Sequence, residues 1–172
     1  MLVYVTGHSA CVRIVGRANF TSSIDFKILL NELVQKGFDC FVLDLSDCIL
    51  MDSTFLGVLA GFGLKLYRPQ NGEATIQPIQ LLNPNERISE LLENLGVAHL
   101  FKTVTVNRKE VPPGEHLADG QPDCREHSHE EVTRNCLEAH KILMEIAPEN
   151  VSKFKEVAQF LAEDLKKTNI GP

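Results

Sequence analysis

The sequence predicts an α/β protein: a mainly parallel sheet of four to five strands, flanked by helices, with a C-terminal extension of two helices. Up to Val106, short apolar runs alternate with stretches of helical period, which is typical of helix-flanked parallel sheets. The run 41–45 is almost entirely apolar, as expected of a strand covered on both faces. We therefore expect an α/β domain over residues 1–106, a linker over 107–127 and a helical hairpin over 128–172.

The first half of the α/β domain is predicted to begin with a hairpin. Two strand-like runs, 2–6 and 11–15, are separated by a turn that contains Gly7. A helix follows, with Thr21 or Ser22 as its N-cap, and it ends at Gly37. The buried strand around residues 41–45 comes next and leads into a second helix.

The second half repeats the alternation of strand and helix. A strand is predicted over 75–82, where Pro78 lacks a backbone donor and indicates an edge position or a bulge. A helix is predicted from Pro84 to Gly96, and a last strand over 102–106. The resulting order ββαβαβαβ implies an antiparallel start to an otherwise parallel sheet.

The C-terminal extension follows a stretch rich in proline and glycine. Ser128 and Glu131 have the spacing of a capping box at the start of a helix, and Pro148 separates that helix from a second one. Each helix carries an apolar stripe, which must be covered by the α/β domain, by a second copy of the chain or by another protein.

Composition and charge exclude several classes of function. The chain has 172 residues, of which 44% are hydrophobic, enough for a folded core. A net charge of −6 without clusters of Lys and Arg argues against nucleic acids and charged membrane surfaces as partners. No apolar run has transmembrane length and the N-terminus does not resemble a secretion signal, so we expect a cytoplasmic protein. Five cysteines without compact spacing indicate free thiols.

The candidate functional site lies at the junction between the buried strand and the second helix, within residues 39–66. We expect a short polar loop there, with the acids Asp47 and Asp52 beside the hydroxyls Ser53 and Thr54. Asp52 precedes the helical pattern and is a candidate N-cap. In open α/β sheets, ligands and chemistry gather at such junctions, next to helix N-termini.

The segment DLSDCILMDSTFLG, residues 44–57, resembles the STAS domain of bacterial anti-sigma factor antagonists. In that family a buried strand ends in an acid, and a D-S-[ST]-G-L-G signature opens the next helix. The likeness covers residues 2–106 and implies a regulatory binding protein of bacterial transcription control, with neither enzymatic activity nor a cofactor. It implies that Ser53 is the phosphoacceptor for a serine kinase that doubles as an anti-sigma factor, with a PP2C-like phosphatase as a further partner.

The same resemblance implies a partner-binding surface, and two of its residues depart from the family pattern. Phe55 stands where the signature usually has glycine, which indicates either an aromatic anchor on the contact surface or a kinase that no longer fits. Asn19 matches a position that is often aspartate. The full set of expected contact residues comprises Asn19, Asp47, Asp52, Thr54, Phe55 and Gly57.

Three functions compete at this point. The first is the antagonist switched off by phosphorylation of Ser53, because a new dianion would disfavour an interface built around a hydroxyl. The second is a STAS scaffold that is never phosphorylated and that assembles, or forms homodimers, through the C-terminal helices. The third and weakest is a small nucleotide-binding protein or enzyme that uses Asp47, Asp52 and Ser53.

Plainer interpretations stand beside these functions. Asp52, Ser53 and Thr54 are also good helix caps. The three glycines of the second helix, Gly57, Gly61 and Gly63, are expected to allow close packing on the sheet. A zinc site among five Cys and His residues of the extension is disfavoured for lack of a C-x-x-C motif; these are Cys124, His127, His129, Cys136 and His140.

Overall fold

The structure is a computed structural model that describes residues 1–66, 79–106, 115–116 and 126–168. Its strands are β1 (Leu2–Thr6), β2 (Ser9–Ala18), β3 (Cys40–Met51), β4 (Ile79–Leu82), β5 (Lys102–Val104) and β6 (Glu115–His116). Its helices are α1 (Phe20–Gln35), α2 (Ser53–Leu66), α3 (Glu86–Asn94), α4 (His129–Ile146) and α5 (Asn150–Thr168), with a short 3-10 turn at Ala98–Leu100.

The strands form one sheet in the order β5-β4-β3-β2-β1-β6. The neighbours from β2 to β5 pair in parallel, whereas β1 pairs antiparallel with β2 across a turn where Gly7 has a φ of 57°. This confirms the predicted mainly parallel sheet with an antiparallel start. The two-residue β6 was not predicted; it lies in the segment expected to be a linker and pairs antiparallel with β1.

Strand β3 is longer than the sequence pattern predicts. It runs for twelve residues and passes through the region expected to be a polar loop, so that only Asp52 separates it from α2. The reason is that β2 is also long, and the two strands stay paired across two register shifts. These irregularities keep Cys48 and Met51 buried, although the simple alternation of side chains is broken.

The predicted edge strand is an interior strand in its described part. Ile79–Leu82 pairs with β3 on one side and with β5 on the other. These four residues contain no proline, so each can donate to the ladder. Pro78 and the start of the predicted strand lie outside the described residues. The last predicted strand ends at Val104, two residues early.

The first helix begins earlier than predicted, because Asn19 is its N-cap. The Asn19 side chain accepts the N–H of Ser22, and the Ser22 hydroxyl interacts in return with the Asn19 backbone, which forms a capping box. At α3 the N-cap is Asn85, so Pro84 lies just before the helix instead of opening it. Asparagine caps as well as serine or threonine, and it outcompetes Thr21 here.

Helices α1 and α2 pack on each other and on the sheet through aromatic side chains. Phe26 of α1 stacks on Phe55 of α2, with ring centroids 4.5 Å apart, and both side chains are fully buried. Phe62 of α2 meets Phe41 of β3 edge-on at 5.0 Å. Full burial of each such side chain stabilises the fold by about 1.5–3 kcal/mol.

Helix α4 lies against the other side of α2, where small residues let the two backbones approach. A Cβ added to Gly57 would come within 2.5 Å of the Ala139 carbonyl oxygen. A Cβ added to Gly61 would come within 2.7 Å of the Ile142 Cδ1 atom. Ser128 and Glu131 form the predicted capping box at the start of α4.

The glycines of α2 therefore do not all serve the predicted purpose. Gly57 and Gly61 face α4, whereas a Cβ added to Gly63 would first meet Phe101 at 3.3 Å and Leu100 at 3.7 Å, just before β5, and then Ile79 of β4 at 3.8 Å. Close packing was predicted correctly, but for two of the three glycines the neighbour is the extension. The apolar stripe of α4 is thus covered by the α/β domain.

Helix α5 packs on α4 and is bonded to it near both ends, at Asn150 and at Asp164, which accepts from His129 and Thr133. Asn150 is completely buried, and its amide donates to the carbonyl oxygens of Leu95 and Leu143, each at 2.9 Å. Further along, Val157 and Phe160 are 44% and 69% exposed. Part of the apolar stripe of α5 is therefore left uncovered in the monomer.

The contact at Gly57 yields a first prediction. Gly57→Ala should lower the free energy of unfolding by about 1–3 kcal/mol, because the added methyl group meets a backbone carbonyl that cannot move away. Gly61→Ala is the matched control: it meets only the tip of a flexible side chain, and it gains up to about 1 kcal/mol from helix propensity. Thermal and denaturant unfolding of both variants checks this; equal effects would contradict the described α2/α4 packing.

Candidate functional site

The junction between β3 and α2 is held by both oxygens of the Asp52 carboxylate. The backbone N–H of Phe55 donates to Oδ1 at 2.8 Å, and the backbone N–H of Phe20 donates to Oδ2 at 2.7 Å. The N–H of Asp52 itself donates to the carbonyl oxygen of Ala18 at 2.9 Å. Asp52 is therefore the N-cap of α2, as predicted, and it also fixes the start of α1 beside the start of α2.

Ser53 is the first residue of α2, and its side chain is half-buried. Its Oγ lies 3.0 Å from Nε2 of His140, which comes from α4. His140 is only 6% exposed, and burial lowers its pKa, opposed by smaller effects of the Cys136 carbonyl and the Asp52 charge. The imidazole is therefore neutral, and it shares a hydrogen bond with the hydroxyl of Ser53, the candidate phosphoacceptor.

His140 was not predicted as part of this site. It lies 87 residues from Ser53 in the chain, and no local pattern joins the two. Cys136 and His140 are four residues apart on one helix face, and both belong to the zinc site that the sequence disfavours. In the structure both side chains lie on the face of α4 that packs against α2.

Thr54, the second hydroxyl of the signature, points into the same helix contact. It is 5% exposed, and its Oγ1 donates to the Cys136 Sγ at 3.8 Å. Burial raises the pKa of the Cys136 thiol, so this thiol stays protonated. Of the two neighbouring hydroxyls, Ser53 is the more accessible.

Asp47 does not join the polar cluster that was predicted with Asp52 and Ser53. It lies within β3, and its carboxylate accepts a bond from Arg13 Nε at 2.9 Å. Arg13 projects from the sheet face opposite the buried Val12, so Asp47 faces that side too. The expected three-residue site is wrong, because a continued strand and not a loop carries Asp47.

Phe55 lies in the core and not on a contact surface. It is 0% exposed and stacks on Phe26, which is the reason that an aromatic side chain is accommodated where the family signature has glycine. Gly57 is likewise buried, beneath Ala139 of α4. The idea of Phe55 as a surface anchor is therefore not compatible with this structure.

Asn19 lies between Ala18 and Phe20, whose backbones bond Asp52, but its side chain has a structural task of its own. Its side-chain oxygen accepts the N–H of Ser22 at 3.1 Å, so it caps α1 directly after Ala18, whose carbonyl bonds Asp52. Of the expected contact residues, the structure thus brings Asn19, Asp52 and Ser53 to one end of the molecule.

Exposed apolar side chains surround this end, and sequence reasoning missed them. Phe20, whose N–H bonds Asp52, is 47% exposed, and Ile49 of β3 is 62% exposed. Val15 of β2 is 57% exposed, at a position paired with Asp47. We call Phe20 and Ile49 the apolar rim; Val15 is not part of it, because it lies beside Asp47, which faces the side of Arg13. Exposed apolar side chains of this kind are typical of protein-binding surfaces.

The described cysteines are free thiols, and the described histidines of the extension bond polar side chains. Cys11, Cys40, Cys48 and Cys136 are free thiols, as predicted for the described residues. His127 and His129 bond the carboxylates of Asp25 and Asp164, at 2.8 and 2.7 Å. No group of three potential metal ligands occurs within the described ranges, and Cys124 lies outside them.

Comparison with known proteins identifies the family. The model of the STAS domain matches residues 1–110, and the chain therefore belongs to the STAS domain family. No curated protein matches its sequence. Among the part of the chain that is described, no helix combines the length and apolar character needed to cross a membrane.

Solved structures with the same fold include a putative anti-sigma factor antagonist, TM1081 of Thermotoga maritima. Its crystal structure has a TM-score of 0.51 and 18% identity, covering 63% of this chain and 87% of that one. The anti-sigma factor antagonist SpoIIAA in its unphosphorylated form has a TM-score of 0.51 and 17% identity, covering 64% and 90%. At such low identity these likenesses show the fold alone.

The burial of His140 gives a second prediction, on pH. The unfolded chain takes up a proton near the ordinary histidine pKa of about 6.5, whereas the folded chain resists it, so acid favours unfolding. Stability relative to His140→Gln should therefore fall as the pH drops below 6.5, by at most about 1.4 kcal/mol per pH unit. Denaturant unfolding of the wild type and of His140→Gln at several pH values measures the difference between their free energies of unfolding. The other histidines are present in both proteins, so their contributions cancel.

The opposite result is also informative. In that case the stability of the wild type relative to His140→Gln stays constant with pH or increases in acid. Either outcome would mean that His140 is protonated in the folded protein. The described contact with Ser53 would then have to be a charged one.

Proposed function

We propose that this protein is an anti-sigma factor antagonist-like regulator, which binds an anti-sigma factor that is also a serine kinase. In this proposal, phosphorylation of Ser53 switches the binding off, and a PP2C-like phosphatase restores it. Membership of the STAS family and the fold shared with known antagonists support the class of function.

The observation that carries the proposal is the position of Ser53. It opens α2 at the end of the sheet, half-buried, directly after Asp52, whose carboxylate also accepts the N–H of Phe20 in the apolar rim. A partner that covers the apolar rim would also cover the Ser53 hydroxyl, so a phosphate there would be buried in the interface.

The physical chemistry of the switch follows from this geometry. A phosphate adds about 1.5 to 2 negative charges, which the first turn of a helix tolerates well. The fold should therefore survive. The interface should not, because the dianion would lose its water next to the Asp52 carboxylate and repel it. A loss of about 3 to 4 kcal/mol lowers affinity by more than a hundredfold.

The third prediction concerns binding of Ser53 variants to a candidate kinase, such as a histidine-kinase-like serine kinase encoded beside this chain. Ser53→Ala should bind with an affinity close to that of the wild type, and Ser53→Asp should bind at least tenfold more weakly. Ser152→Asp is the matched control, since it adds the same charge at an exposed position of α5. Equal affinities of Ser53→Ala and Ser53→Asp, measured by calorimetry, would refute the switch.

Direct phosphorylation tests the same proposal chemically. After incubation with the kinase and ATP, mass spectrometry should locate one phosphate on Ser53 and none on Thr54, which is 5% exposed. Ser53→Ala should remove the signal. A phosphate elsewhere, or none, would argue against Ser53 as the phosphoacceptor.

A scaffold subunit that is never phosphorylated is the second candidate, and one observation favours it. The Ser53 hydroxyl is already engaged by His140, so a kinase must first displace part of α4. The mass-spectrometric experiment distinguishes the two candidates. For the scaffold, we expect no phosphate on Ser53 with the kinase, in the wild type or in His140→Ala.

The apolar rim provides the fourth prediction. Phe20→Ser and Ile49→Ser should each weaken partner binding about tenfold or more, because they remove apolar contact area at the centre of the proposed interface. Ile49 is 62% exposed and Phe20 47%, so the thermal midpoint should change little in Ile49→Ser and fall moderately in Phe20→Ser, which loses part of a buried ring. Phe160→Ser on α5 is the control, with 69% exposure and no contact with the rim. If all three variants bind alike, the partner does not use the apolar rim.

A further inference from the structure

The side chain of His140 joins the start of α2 to both helices of the C-terminal extension. It belongs to α4, and its Nε2 lies 3.0 Å from the Ser53 Oγ. Its ring also packs on the Phe154 ring of α5, with centroids 4.8 Å apart and a tilt of 39°. A change of charge at Ser53 therefore acts on a side chain that contacts α2 and α5 and is itself part of α4.

The second nitrogen of this ring has no partner. The Nδ1 of His140 is buried and forms no hydrogen bond with any described residue. Because nothing holds a proton on Nδ1 or keeps one away, Nε2 can accept the Ser53 hydroxyl proton in one state and donate in another. The contact with Ser53 is thus able to reverse its direction.

The groups that face His140 come from α2, from its junction with β3, from α4 and from α5. The Asp52 charge at the junction and the Cys136 carbonyl of α4 both favour the protonated ring, whereas burial opposes it more strongly and lowers the His140 pKa. The Cys136 thiol is protonated, and α5 contributes the uncharged Phe154 ring. A further negative charge next to Nε2 would add to the effects that favour protonation.

Phosphorylation of Ser53 supplies such a charge. Transfer of the γ-phosphoryl group of ATP replaces the Oγ–H bond by an Oγ–P bond, and ADP leaves. Nε2 of His140, 3.0 Å from Oγ, is placed to take the released proton. The product is an imidazolium beside a group with about 1.5 to 2 negative charges, and hydrogen bonds between charged groups are about twice as strong as neutral ones.

We propose that phosphorylation of Ser53 fastens the C-terminal extension to the α/β domain, through a hydrogen bond from His140 Nε2 to a phosphate oxygen. Helix α4 then stays over the face of α2 that carries Thr54 and Gly57, and α5 is held with it through Phe154. This inference rests on the proposed function in one respect, namely that Ser53 is the phosphoacceptor. It adds that the phosphate acts within the chain, by closing α2, as well as at the partner interface.

Four versions of the whole chain test the proposal. They carry serine or phosphoserine at position 53, the latter incorporated during synthesis, each with and without His140→Leu. Hydrogen–deuterium exchange measures the opening of α4 and α5, and phosphoserine should slow it about tenfold or more when His140 is present. In His140→Leu, which keeps an apolar side chain at this position but cannot donate, phosphoserine should not slow exchange. Unchanged or faster exchange with phosphoserine, or slowing that persists in His140→Leu, would overturn the proposal.

The protonation of His140 is measured separately by NMR. Titration of the ring should give a pKa below the ordinary value of about 6.5 in the unmodified chain and above it with phosphoserine at position 53. The His140→Leu variant identifies the signal, because it lacks this ring alone. A His140 pKa that phosphoserine does not raise would contradict the charged hydrogen bond.

The role of α5 is tested by Phe154→Leu, which keeps an apolar side chain and removes the ring. A protonated imidazole gains from contact with an aromatic face, so phosphoserine should slow the exchange of α5 less in this variant than in the wild type. Equal slowing in both would show that α5 is not held through Phe154.

These results are distinct from a failure of the proposed function. The phosphoserine is incorporated during synthesis, so its effect on α4 and α5 does not depend on a kinase. A chain that the kinase leaves unmodified, but whose extension is held by incorporated phosphoserine, would count against the proposed function alone. A chain that the kinase modifies at Ser53 without slower exchange in α4 and α5 would count against the inference alone.

Discussion

The close approach of α4 to α2 at Gly57 is the contact on which the geometry of the candidate site depends. A side chain at this position would meet the Ala139 carbonyl at 2.5 Å, so only glycine allows the two helices to lie so near. This approach sets His140 against Ser53 and Cys136 against Thr54. One small residue therefore decides whether the candidate phosphoacceptor is open or engaged.

The order of elements and the parallel sheet were predictable because they depend on local patterns. Alternating periods, a buried apolar run and the capping box at Ser128 are all visible within a few residues. The length of β3 was not, since it depends on pairing with an equally long β2 through two register shifts. Because of that pairing, Asp47 lies on a strand and not in the predicted loop, and there it bonds Arg13.

The sequence predicted the residues of the candidate site at the start of α2, but not the contacts that other helices make with them. The signature around Ser53 identified the start of α2, and Asp52 caps it as expected. The sequence did not decide whether Phe55 is buried or exposed, because its burial depends on Phe26 of another helix. His140 belongs to the site through tertiary packing across 87 residues, for which a single sequence carries no signal.

The extension also affects the thermodynamics of partner binding. A partner that needs the outer face of α2 can bind only the fraction of molecules in which α4 has moved away, and its apparent affinity falls by that fraction. A partner that uses the apolar rim, which α4 leaves exposed, has no such cost. A charge at Ser53 would repel a partner at the rim, and next to His140 Nε2 it would favour the protonated imidazole and so hold α4 in place. Both effects lower the affinity, so Ser53→Asp should weaken binding whichever of the two surfaces the partner uses.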